Sequence, residues 1–402
     1  MTGIILLIFF IYLLFALKYK FMPYGRIGKN LNNRQGINSL MVLLGSSMGV
    51  GNIVGVGVAI YLAGPGVIFW MLVSALISST TNYLEVYFSK KQSNHNYNPI
   101  SYIKNRKISI FYTILMIITA LFIGNMTQIN SIKVALDGIS PVVILTLIII
   151  LFIISTIKYQ NINKALSFIM PVASIIYLLC GIYLLYLGKE NILSTIKLII
   201  LGAFKPESTV GIPFFYVFNQ GVLFAVFSNE AGNGSSAMAF KESDGNPHKL
   251  GIIASLGPII DTAIVCVLTG LIILSNDKFN NLKYQNYNPN EMIYIVEIYK
   301  EAFGNAGHVI MVSLIILFAF ATLISWFYYA RIGIKYLKIN YFVFYVVYLV
   351  VIVISVYFKL INLMNLTNYL NISLLIINLC YLFKRVFVVK LKPTGDDLDA
   401  KE

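Results

Sequence analysis

The chain has 402 residues, 58% of them hydrophobic and only 11% charged, with a mean hydropathy of +0.80 and a net charge of +14. Soluble domains carry about 25% charged residues, so this chain lacks the polar surface to cover a water-soluble globule of its size. Its recurrent apolar runs make the bilayer its solvent, and the positive charge is read along membrane helices rather than as a nucleic-acid surface. Cys180, Cys266 and Cys380 stand alone in apolar runs, without zinc or disulfide spacing, and read as small buried hydrophobes.

About eleven spans are predicted, at 3–17, 38–63, 66–89, 108–136, 140–157, 167–187, 212–240, 249–274, 304–331, 339–358 and 361–383. The first lacks a basic stretch before it and is followed by Lys18, Lys20 and Arg26, a signal-anchor pattern with the N-terminus outside. With that start, the inner segments hold 22 of the 30 Lys and Arg residues, a bias that one missed span would invert, and the C-terminus is cytoplasmic. Two outer segments are not spans. Residues 188–211 place Ile192, Leu193, Ile196, Ile199 and Ile200 at helical spacing, which predicts a short helix on the membrane surface. Residues 275–303 are rich in Asn and Tyr and end in a helix bearing Glu291, Glu297 and Glu301, and the polar tail from Lys392 to Glu402 reads as disordered.

The second and seventh spans look broken. One reads Leu44-Gly45-Ser46-Ser47-Met48-Gly49-Val50-Gly51-Asn52, the other Phe227-Ser228-Asn229-Glu230-Ala231-Gly232-Asn233-Gly234-Ser235-Ser236. Each glycine costs a helix about 1 kcal/mol relative to alanine, and unwound backbone at bilayer depth persists only where it lines a polar cavity or is packed in protein. With the first span set aside, the breaks open the first and sixth of ten spans. Five is odd, so two five-helix repeats must be inverted, and paired breaks in such halves point to a transporter binding site. The expected division is 1–37 (extra helix and linker), 38–211 and 212–385 (the repeats) and 386–402 (tail).

Gly49, Val50, Gly51 and Asn52 could offer free N–H groups to a carboxylate, or simply pack closely against another helix. The GxGxxxG spacing and the absence of a preceding strand exclude a dinucleotide fingerprint. Glu230, beside Ser228 and Asn229, is a mid-membrane carboxylate costing at least about 2.5 kcal/mol. It needs a cation, unwound N–H groups or a bound amine as partner, unless it only caps the half-helix. Asn125 and Gln128 share a helical face, and with Asn130 their amides could hold an amino-acid head group or bond between helices. Asp261 reads as a hydrogen-bond partner of a broken helix, and Glu85 as a structural residue near Lys90. Thr322 and Ser325 could meet a cation or bond back to their own helix; Trp326 could wall the pocket or merely pack.

These segments resemble the alanine/glycine:cation symporter family. The likeness runs from Gly49-Val50-Gly51-Asn52 through Gly64-Pro65-Gly66 to Glu85, then Gly124-Asn125-Met126-Thr127-Gln128, the stretch Phe227 to Ser236 with Ile260-Asp261-Thr262, and Phe318-Ala319-Phe320-Ala321-Thr322 with Trp326, Tyr328 and Tyr329. The resemblance implies an all-α membrane protein of the leucine-transporter-like fold, two inverted five-helix repeats plus one extra N-terminal helix, in the plasma membrane. It implies substrate between the broken helices, with Gln128 and Trp326 near it, and a cation held by carbonyls at Gly45 and Met48 and the Thr322 hydroxyl. Val50 replaces the family's usual Thr, Met48 a basic residue, Asn82 a Lys, and Ala321 a hydroxyl residue. The function expected is sodium-coupled uptake of a small neutral amino acid such as alanine or glycine, with no cofactor beyond the coupling ion and no nucleic-acid partner. A second reading keeps the fold but alters or loses coupling, as a uniporter, proton-coupled carrier or sensor. A third, an intramembrane enzyme using Glu230 and Asp261, lacks a convergent His or Cys, because His95, His248 and His308 lie near predicted loops.

Overall fold

A computed structural model describes residues 2–20, 33–92, 99–136, 159–205, 211–276 and 294–388, with isolated positions between 140 and 153. All regular structure among them is helical. The chain runs through α1 (Thr2–Lys18), α2 (Arg34–Ser47), α3 (Val54–Ala63), α4 (Val67–Lys91), α5 (Arg106–Leu121), α6 (Thr127–Ala135), α7 (Tyr159–Leu187) and α8 (Lys189–Phe204). It continues through α9 (Phe214–Asn229), α10 (Ser235–Ala239), α11 (Pro247–Ala254), α12 (Val267–Ser275), α13 (Tyr294–Leu337), α14 (Tyr341–Ser355) and α15 (Leu360–Phe383). Among the described residues six stretches are long and apolar enough to cross a membrane: Val67–Lys91, Arg106–Ala135, Lys164–Leu187, Pro247–Ser275, Tyr294–Leu337 and Leu360–Val388. Shorter apolar helices Thr2–Lys18, Val54–Ala63, Phe214–Asn229 and Tyr341–Ser355 accompany them, giving a multi-pass helical membrane protein.

The span predicted at 140–157 falls largely outside the described residues, as do Glu291 and the tail from 389 on. The helix expected at 304–331 runs on to Leu337, and Gly304, with φ of 63° and ψ of −147°, separates it from the short helix expected before it, which begins at Tyr294 and carries Glu297 and Glu301. Helix α8 occupies the segment where the surface helix is expected, and its apolar stripe seats it only in part. Thr195, Ile199, Gly202 and Ala203 are buried, while Leu193 is 80% exposed and Ile196 and Ile200 also face outward. The small residues allow the closest approach: a Cβ on Gly66 would lie 2.1 Å from the carbonyl carbon and oxygen of Gly202, and the Trp70 indole donates to the Ala203 carbonyl at 3.2 Å. Gly66→Ala is therefore expected to overpack this joint by about 1–3 kcal/mol, read as a lower melting temperature of the purified protein.

Helix α4 runs through the middle of the bundle, packed on α9, α11 and α1, with Ser78 to Phe88 continuously buried. Helix α1 is apolar all round, so polarity does not orient it. Packing does: Ile5, Ile8, Tyr12, Phe15 and Ala16 are buried on one side, and Leu6, Leu7, Phe10 and Leu17 face outward. Wide π-turns interrupt the α-helical pattern at Phe122–Met126, Ile259–Cys266 and Lys384–Val388.

Candidate functional site

Both suspected interruptions are present. Helix α2 stops at Ser47, Met48 leaves helical geometry with ψ of 63°, Gly49 is extended, and a single 3₁₀ turn at Val50–Asn52 leads into α3. Helix α9 stops at Asn229. Glu230 takes the left-handed conformation with φ of 54°, and Gly232 and Gly234 follow at 87° and 96° before α10 begins. A left-handed non-glycine residue costs about 1–2 kcal/mol and persists only where its surroundings hold it. Here two side-chain turns do so: Ala231 N donates to Asn229 Oδ1 at 3.0 Å and Ser235 N to Asn233 Oδ1 at 2.9 Å.

The breaks face each other. Ser46 Oγ donates to Glu230 Oε2 at 3.1 Å, and the Trp326 indole donates to Glu230 Oε1 at 2.8 Å. The Tyr329 hydroxyl donates to Ser46 Oγ at 3.1 Å, so one carboxylate joins the two breaks to α13. Gly51 lies against Phe227, 3.0 Å from where its Cβ would be. Gly124 lets Trp326 approach, since a Cβ there would stand 2.1 Å from that of the tryptophan. All these residues are buried.

Gln128 reaches the first break. Its Oε1 accepts from Val50 N at 3.2 Å and its Nε2 donates to Ile123 O at 3.0 Å. Val50 thus contributes its N–H whatever its side chain. Asn125 does not share that face as expected. The π-turn at Phe122–Met126 rotates it away, and it donates to the Tyr348 carbonyl on α14 at 2.9 Å. Asn130 caps the end of α14 through the carbonyls of Ser355 and Phe358.

The Thr322 hydroxyl points at two carbonyls, Gly45 at 3.0 Å and Phe318 at 3.1 Å. It has one proton for both. These three oxygens form a hard donor set suited to an alkali cation rather than a transition metal. Gly49 is tight against them: its Cβ would lie 2.6 Å from Thr322 Oγ1 and 2.8 Å from Gln128 Oε1. Met48, expected alongside Gly45, supplies the break itself, and the hydrogen bonds described join Gly45 rather than Met48 to Thr322.

Asp261, in the π-turn between α11 and α12, accepts from Ser228 Oγ at 2.6 Å and Thr262 Oγ1 at 2.8 Å, both on Oδ1. Asn52 Nδ2 donates to its main-chain carbonyl at 3.1 Å, and Cys266 Sγ lies 3.1 Å from Ser228 Oγ. Asp261 Oδ2, Asn52 Oδ1, Ser47 Oγ, Ser325 Oγ and Asn229 Nδ2 are buried without a hydrogen-bond partner. Unpartnered buried polar atoms occur in several parts of the bundle, and these five lie on residues at or beside the two breaks.

Glu85, read as structural, holds the backbone of the second break, accepting from Gly234 N at 3.0 Å, Asn378 Nδ2 at 2.7 Å and the Ser236 hydroxyl. Lys90 donates to the carbonyls of Lys241 and Ser243. Sequence reasoning missed Ser46, Ser47 and Tyr329; the first two sat in the Gly45–Asn52 run, but nothing in that run distinguished them from packing residues.

A family model described as the sodium:alanine symporter family matches residues 4–392. The chain is 26% identical over 359 residues to the probable sodium/glutamine symporter GlnT of Bacillus subtilis strain 168, covering 83% of this chain and 74% of that protein. It is 27% identical over 320 residues to the sodium/alanine symporter AgcS of Methanococcus maripaludis, covering 74% and 70%. The solved structure of MhsT in complex with L-phenylalanine is similar in fold, with a TM-score of 0.56 at 14% identity, covering 86% of this chain and 80% of that one.

Proposed function

The chain belongs to the sodium:alanine symporter family, and from that premise we propose that it couples a cation gradient, carried by sodium, to uptake of a small neutral amino acid such as alanine or glycine. In this reading residues 38–211 and 212–385 form two inverted five-helix repeats in the plasma membrane, with the N-terminus outside and the C-terminus cytoplasmic. The substrate carboxylate meets the Gly49–Asn52 turn beside Gln128. Its ammonium faces Glu230, Ser228 and Asn229, and Trp326 closes the wall. The observation that carries the proposal is the meeting of two interrupted helices at Glu230, through Ser46 and Trp326, with unpaired buried oxygens around them. Bringing a zwitterion and a cation there satisfies groups that otherwise stay unpaired. The Gly51–Phe227 contact and the buried Trp326 crowd the site, which favours a substrate with a short side chain.

The cation sits by Thr322, Gly45 and the Met48 turn, and alternating access rocks one group of helices about it. Uptake of labelled alanine into proteoliposomes, with and without an inward sodium gradient, tests the coupling; uptake indifferent to sodium discards it. Thr322→Val keeps the volume and removes the hydroxyl ligand. The expected result is a sodium requirement raised about tenfold, the loss of roughly 1.4 kcal/mol of cation binding. Val50 and Ala321, where the family usually has hydroxyls, favour a second reading in which coupling is weakened. Tight substrate binding with shallow sodium dependence would support that version.

A further inference from the structure

The loop between α9 and α10 is held from behind by helices that do not line the proposed pocket's front. The Tyr12 hydroxyl donates to the Ala231 carbonyl at 2.5 Å, Asn378 Nδ2 to the Gly232 carbonyl at 2.8 Å, and the Tyr112 hydroxyl to the Asn233 carbonyl at 2.5 Å. Glu85 accepts from Gly234 N. Three consecutive carbonyls thus receive donors from α1, α15 and α5 in turn, while the Glu230 side chain points the other way, to Trp326 and Ser46.

Among these donors Tyr12 stands apart. From Gly3 to Leu17 it is the only side chain able to make a conventional hydrogen bond. A helix that served only as an anchor would need none. Its phenol is fully buried, and on its far side Gly232 gives it room: a Cβ there would lie 3.2 Å from the hydroxyl. The helix is fixed at both ends of this contact. Phe9 packs edge-on against Phe218 of α9, and Phe15 stacks on Phe387, over whose ring Lys18 also lies.

We propose that α1 is a working part of the binding site rather than an added anchor, and that Tyr12 is a positioning residue which sets Glu230 by holding the Ala231 carbonyl. Without that donor the carbonyl is buried and unpaired, so the loop populates conformations in which it turns toward another donor. Glu230 then leaves its place opposite Ser46 for part of the time, and the apparent substrate affinity falls by the fraction of competent loops. The kinetic consequence rests on the transport reading; the loop-holding role does not.

The test uses Tyr12→Phe, which removes one oxygen atom. In full-length protein in proteoliposomes it is expected to raise the KM for alanine about tenfold, the loss of one hydrogen bond to a buried carbonyl, while Vmax stays within about twofold. Phe10→Ala, on the outward face of the same helix, is expected to leave both unchanged. A second readout needs no transport. The chain has two tryptophans, and in a Trp70→Phe background Trp326 alone reports the Glu230 contact. Tyr12→Phe is expected to shift its emission to the red. Unchanged KM, or raised KM with unchanged Trp326 emission, overturns the proposal. A shifted emission in a protein whose unaltered form takes up no amino acid would leave the loop-holding role standing and discard the transport reading. Should Tyr12→Phe not fold, 2,3-difluorotyrosine at position 12 keeps ring and hydroxyl and strengthens the donor. A KM lowered relative to the unaltered protein is then expected, and an unchanged one overturns the proposal.

Discussion

Glu230→Gln is expected to reduce amino-acid uptake by about two orders of magnitude or more while the protein inserts and melts almost normally. The separation follows from the hydrogen bonds. Trp326 Nε1 can only donate, so the amide oxygen of a glutamine would take its place opposite the indole. The amide nitrogen would then face Ser46 Oγ, which can turn to accept, because its own proton has a second acceptor in the Leu43 carbonyl at 2.8 Å. One amide proton is taken by Ser46 and the other is the single donor left over, so the cost to stability is about 1 kcal/mol, the low end for one unsatisfied group. What is lost is the negative charge between the two half-helices. In a site excluded from water, a carboxylate opposite an ammonium contributes roughly 3 kcal/mol, or about 100-fold. Uptake by labelled substrate and a melting curve on the same preparation check both halves. Uptake within twofold of the unaltered protein would place the charge outside the mechanism.

Glu85→Ala is expected to act in the opposite sense, first on stability. Glu85 is fully buried, and its described partners are donors: Gly234 N, Asn378 Nδ2 and the Ser236 hydroxyl. Truncation strands at least the backbone N–H and one amide proton, each costing about 1–3 kcal/mol when buried, and adds a cavity. A loss of roughly 3–6 kcal/mol is expected on those terms, seen as poor recovery from the membrane and a large fall in melting temperature. Glu85→Gln should recover most of it, since an amide oxygen can serve Gly234 N and Asn378 while the Ser236 hydroxyl turns to accept. Were Glu85→Ala as stable as the unaltered protein, the second break would not depend on this carboxylate. The contrast between the two glutamates is informative: one faces the other broken helix, the other supports the loop from behind.

Much of this was legible along the chain. The two glycine-, serine- and asparagine-rich interruptions are visible because glycine clusters and a carboxylate are costly in an apolar helix, and no apolar packing role would retain them together. Helix positions followed from the apolar runs for the same reason. The pairing of Gln128 with the first break is only suggested by its place in Gly124–Gln128; its neighbour Asn125 bonds to α14 instead, because a π-turn intervenes where the spacing predicts an α-helical period. Such a turn depends on what packs around it and leaves no periodic mark. Ser46 gave no signal of its own, since a serine in a membrane helix commonly bonds to its own backbone, and Ser46 does so as well as reaching Glu230.

By itself, then, the sequence determined that this is a many-helix membrane protein, where its helices are interrupted, and which family it resembles. Those properties depend on composition and local order, where the desolvation of a polar residue is set by its type before any partner is known. Only the tertiary structure decided which carboxylate faces the opposite break and which supports the loop, and that Tyr12, in a helix uniformly apolar along its length, lies against Ala231. Contacts between residues 96 to 219 positions apart depend on helix rotation and crossing. In an all-apolar helix no polarity pattern encodes that rotation, so it is settled by side-chain packing alone.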